Sequence, residues 1–62
     1  MKCLIENCDT QAKGTIILKD TNSNVVSCYH YCFKHLFIKR DGFKGLKFRE
    51  VKVFLGKIIE GL

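Results

Sequence analysis

Sixty-two residues, 47% of them hydrophobic and 27% charged, with a formal net charge of +5, leave room for one domain, residues 1–62. A chain this short buries only about 60% of the surface its unfolded form exposes, so its apolar core is marginal without a staple. No apolar run approaches the ~20 residues of a membrane span, and Met1-Lys2-Cys3 opens onto a polar segment rather than an apolar leader. These features predict an intracellular, non-membrane protein, cytoplasmic or nuclear. In that reducing setting its four cysteines are expected to bind metal. Disulfides, in any of three pairings, are the alternative.

In chain order, "CLIENC" comes first and sets Cys3 and Cys8 around a short loop with four residues between them. "TIILK" at 15–19 and "VVSCYHY" at 25–31 are β-branched and aromatic, as strands prefer, and "DTNSN" between them is a cluster of turn formers. The pattern predicts a β-hairpin over about 14–31. From Cys32 the spacing of Phe33, Leu36 and Phe37 fits one face of a short helix, about 32–40, which Asp41-Gly42 should stop. Phe48, Val51, Leu55, Ile58 and Leu62 then recur at alternating steps of three and four, widened by Phe54 and Ile59. That periodicity predicts an amphipathic C-terminal helix over about 46–61, with Val53 alone on its polar side. The predicted fold class is α+β.

Zinc favours four sulfur or imidazole ligands in a tetrahedron, and close-spaced pairs supply two ligands from one stretch of backbone. Cys3 and Cys8 make one such pair. Cys32 and His35 make another, because a three-residue step on a first helical turn points both side chains to one side. Cys28 and His30 stand as alternates for the second pair, since alternation along a strand continued to Cys32 would send all three to one face. A knuckle, a hairpin and two ligands at a helix start, carried by "CLIENC" and "CFKH" over residues 3 to about 40, resemble the treble-clef group of zinc fingers. The resemblance implies a single structural Zn2+ with no open coordination position. The 23 residues between Cys8 and Cys32 do not suit the C2H2 finger, whose ligand pairs stand about 12 apart.

Charge points to a partner. Residues 1–32 balance Lys2, Lys13 and Lys19 against Glu6, Asp9 and Asp20, so the whole excess lies in residues 33–62. There Lys34, Lys39, Arg40, Lys44, Lys47 and Arg49 alternate with phenylalanines, a pattern suited to phosphates and unpaired bases. Lys44 and Lys47 at the start of the second helix would oppose its dipole, a conflict that a bound phosphate would relieve. The leading expectation is a small nucleic-acid-binding protein, with transcriptional regulation as its candidate role. The alternative is a protein-interaction adaptor or homodimer that uses Val51, Phe54, Leu55, Ile58, Ile59 and Leu62. Neither a small-molecule substrate nor catalysis is expected: no Asp–His pair stands at a strand end, and a reactive Cys28 would need surroundings that sequence does not reveal.

Overall fold

The computed structural model describes residues 1–22, 25–46 and 48–59. The described chain runs β1 (Gly14–Lys19), β2 (Val26–Tyr31), α1 (Phe33–Lys44) and β3 (Glu50–Leu55). The three strands form one antiparallel sheet in the order β2-β1-β3, and α1 packs on one of its faces. The α+β class and the hairpin therefore stand as expected.

Register explains the core. Gly14, Ile16 and Leu18 lie opposite Tyr31, Tyr29 and Ser27 of β2, and opposite Leu55, Val53 and Val51 of β3. Paired residues share a face, so these strands line the side that meets Leu36 and Phe43 of α1. Ile16 and Leu36 are fully buried there. Gly14 lets the helix come close: a Cβ at that position would lie 2.6 Å from Leu36 Cδ2 and 2.9 Å from the Phe54 carbonyl oxygen.

The predicted C-terminal helix over 46–61 is not what forms. Residues 50–55 make β3, and Phe48 and Arg49 lead into it, with Arg49 N–H donating to the Lys19 carbonyl at 2.9 Å. The reason is tertiary. A hairpin alone is marginal in water, and the apolar strand β1 would keep one edge of backbone groups unpaired without a third strand. "EVKV" also alternates with period two, which places Val51 and Val53 on the core face and Glu50 and Lys52 away from it. The Val53 that breaks the helical stripe is regular in the strand.

Helix α1 outruns its expected end at residue 40 by four residues. Phe43 supplies the reason, with its ring 5.8 Å from Tyr29 and 6.1 Å from Phe48. Burying it offsets the ~1 kcal/mol that Gly42 costs within a helix. Lys44 consequently lies in the last turn of a helix, where positive charge complements the dipole. The expected conflict between Lys44 and a helix start does not arise.

After β3, Gly56 takes φ 71° and its N–H donates to the Lys13 carbonyl at 2.7 Å. Residues 57–59 then run across the second face of the sheet, where Thr15 is fully buried beneath them.

Candidate metal centre

The N-terminal loop is closed by its own backbone. Cys3 N–H donates to the Thr10 carbonyl at 2.9 Å, and Lys2 bridges Gln11. Inside it, Cys8 N–H donates to the Ile5 carbonyl at 3.0 Å across a turn whose third residue, Asn7, has φ 65°. Positive φ at the third position marks turns of type II or I′, and asparagine tolerates it. A bond from Leu4 N–H to the His30 carbonyl at 3.1 Å fastens the loop to β2. Cys32 sits at the N-cap of α1 in extended conformation and its side chain makes no capping bond. One turn on, His35 faces the same way.

These elements bring together Cys3, Cys8, Cys32 and His35, whose ligand atoms all lie within 4.8 Å of one another. Cys3 Sγ and Cys32 Sγ stand 3.5 and 3.2 Å from His35 Nδ1, and Cys8 Sγ is 3.9 Å from Cys32 Sγ. Ligands at ~2.0–2.3 Å around a tetrahedral ion are separated by roughly 3.5–3.8 Å, so the cluster has the dimensions to hold one metal ion. Cys3 and Cys32 are buried, while Cys8 and His35 are half-buried.

The thiols differ in acidity. Hydrogen bonding from the Thr10 backbone, with further help from the Thr10 side chain, holds Cys8 at about 6, below the ordinary 9.0. Burial instead pushes Cys3 above that value. Cys8 is therefore more readily ionised than Cys3 near neutral pH. Thr10 was not among the expected site residues. A threonine two positions after a cysteine is a recognisable local donor, and that spacing was the available signal.

Cys28 and His30, the alternate ligands, are not part of this cluster. β2 ends at Tyr31, so the alternation that would have aligned them with Cys32 stops first. They pair with Ile17 and Thr15 and share the sheet's second face.

The basic residues do not form one stripe. Lys34, Lys44 and Arg49 are exposed, while Lys39 and Arg40 are half-buried and, as consecutive helical residues, project ~100° apart. Arg40 is engaged with the Asp41 carboxylate at 3.2 Å and lies 4.9 Å over the Phe37 ring. Lys47 falls outside the described residues. Beside the cluster lies an open groove of about 590 Å³, whose walls include Glu6, Asn7, Thr10, Lys13, Phe33 and Lys34. Lys13, counted in the sequence only as a charge, stands with Lys34 at this groove.

The residues expected to form an amphipathic helix face are divided between the two sides of the sheet. Val51 packs on the core and Phe54 is on the second face, while Leu55 and Ile58 are exposed. Ile59 is half-buried above Thr15, and Leu62 lies outside the described residues. The helical face on which the adaptor alternative rested does not form among the described residues. Among the described residues no helix is long and apolar enough to cross a membrane.

No family model, characterised protein or solved structure matches this chain.

Proposed function

We propose that this chain is a zinc-stabilised, non-catalytic module that binds nucleic acid. The observation that carries the zinc reading is the convergence of three sulfurs and one imidazole nitrogen within 4.8 Å. Three thiolates and an imidazole suit zinc among the common divalent ions. Four protein ligands complete its tetrahedron, so the ion's role is structural. The treble-clef likeness rests on the same knuckle, hairpin and helix start. Native mass spectrometry of the protein purified without added metal tests this reading, with one zinc ion per chain expected. A metal-free protein whose thiols are intact and whose fold is complete would overturn it.

Nucleic acid is supported by the basic excess after residue 32 and by Phe33, which is 59% exposed and flanked by Lys34. Phe33 offers a stacking surface beside the groove, and Lys13 and Lys34 offer charge for phosphates. Binding to a single-stranded oligonucleotide should weaken steeply as salt rises, and Lys13→Ala or Lys34→Ala should each reduce the slope of log K against log salt by about one. Salt-independent binding, or no binding at low salt, would remove nucleic acid as the partner.

A further inference from the structure

On the sheet face away from α1, Thr15, Cys28 and His30 form a cluster that the first metal centre does not use. Thr15 Oγ1 lies 3.0 Å from each of three partners: the Lys57 carbonyl, the Ile59 N–H and His30 Nδ1. A hydroxyl has one proton, and here it goes to the Lys57 carbonyl, which can only accept. The Ile59 N–H donates to the same oxygen. His30 Nδ1 must therefore donate as well, and that places the ring proton on Nδ1. The neutral ring then presents its Nε2 lone pair, and Nε2 stands 3.9 Å from Cys28 Sγ. Zinc–sulfur and zinc–nitrogen bonds of about 2.3 and 2.0 Å separate two ligands by roughly 3.5 Å at the tetrahedral angle, so a side-chain adjustment of about 0.4 Å brings the pair to ligating distance. A metal-ligating histidine generally donates its other ring N–H to a fixed acceptor, and a fully buried threonine held at two further points supplies one.

We propose that Cys28 and His30 form a two-ligand site for a second thiophilic divalent cation, with Thr15 as the positioning residue. The site lies on the other face of the sheet from the cluster of Cys3, Cys8, Cys32 and His35 and shares no ligand with it. Ligation replaces the Cys28 thiol proton with the metal, and the proton leaves to solvent. The 3.1 Å bond from that thiol to the Ile59 carbonyl is lost at the same time. Occupancy of the site is thereby coupled to the hold on residues 57–59. Two coordination positions remain, for a second copy of the chain or for small ligands from solution.

The test is titration of the full metal-free chain with Co2+ under reducing, oxygen-free conditions, followed through sulfur-to-metal charge-transfer absorption. A tighter equivalent with the intensity of several thiolates should be followed by a weaker one with that of a single thiolate. Cys28→Ser and His30→Gln should each abolish the weaker equivalent and keep the tighter one, which doubles as the check that the fold survives. Thr15→Val should weaken the second equivalent by about 10- to 100-fold and leave the first unchanged. Native mass spectrometry of the loaded protein distinguishes an extra ion on a monomer from one shared by two chains, either of which supports the site. Saturation at one equivalent, or a second equivalent indifferent to both Cys28→Ser and His30→Gln, overturns it. If Cys8→Ser removes the tighter equivalent and Cys28→Ser still removes the weaker one, the two sites stand or fall separately.

Discussion

At Asn7 the backbone turns through φ 65° so that Cys8 can face Cys3 and Cys32. Asn7→Gly should preserve metal binding, whereas Asn7→Val should weaken it, because a β-branched residue costs roughly 1–2 kcal/mol in that conformation. Metal titration of the two variants decides. Cys8 and Cys3 should respond to pH in opposite senses when no metal is bound. Because the fold lowers Cys8 to about 6, its ionisation supports the metal-free fold above the ordinary thiol value of 9.0. That support declines through the interval between the two values and is gone once the pH has fallen through about 6. Cys3 is raised by burial, so its ionisation opposes the metal-free fold at high pH. Gly14 carries a steric prediction: Gly14→Ala meets Leu36 and the Phe54 carbonyl oxygen at once, and the backbone oxygen has little room to yield. A loss of about 1–3 kcal/mol is expected in denaturant unfolding of the metal-loaded protein.

The last regular segment shows how one stretch supports two periods. Phe48, Val51, Leu55 and Ile58 fit a helical stripe, and Glu50, Val51, Lys52 and Val53 fit a strand. An exposed edge of β1 decides between them, because β3 satisfies its backbone and covers Leu18 and Ile16. A helix would place Val53 on the solvent side, where lysine is harmless. The strand makes Val53→Lys costly, by about 2–3 kcal/mol, because it places a charge against Ile16. Glu50→Lys, at an exposed position, should stay within about 0.5 kcal/mol. Comparing the two variants by thermal unfolding distinguishes strand from helix. Helix α1 is informative at both ends. Its start lacks a side-chain cap because Cys32 turns to the metal cluster, and its end is prolonged by Phe43 packing on Tyr29.

Across the whole molecule the apolar core is small. The accessible surface of 4446 Å² exceeds the ~4,100 Å² expected of a compact monomer of 7.2 kDa. Two of the buried core residues, Cys3 and Cys32, also belong to the metal cluster. An ion there joins the N-terminal loop to the start of α1, and structural zinc contributes an apparent ~10–16 kcal/mol in finger peptides. That equals or exceeds the ~5–15 kcal/mol net stability of ordinary domains. Chelation should accordingly abolish the helical signal in far-UV circular dichroism, and added zinc should restore it. A spectrum unchanged in protein shown to be metal-free would mean that the sheet and α1 stand alone.

What the residues determine by themselves is local. Cysteine and histidine spacing, the turn formers at 20–22 and the β-branched runs of the hairpin all act over a few positions, so the grouping of Cys3, Cys8, Cys32 and His35 and β1 with β2 were legible in the sequence. So was the helix start after Cys32. Tertiary structure alone decided the rest. The fate of residues 50–55 depended on an unpaired edge of β1, and the end of α1 on a tyrosine in another strand. The separation of Cys28 and His30 from Cys32 depended on where β2 stops. Each is a contact between residues distant in the chain, and periodicity reports only which side of an element is apolar, not which partner is present to cover it.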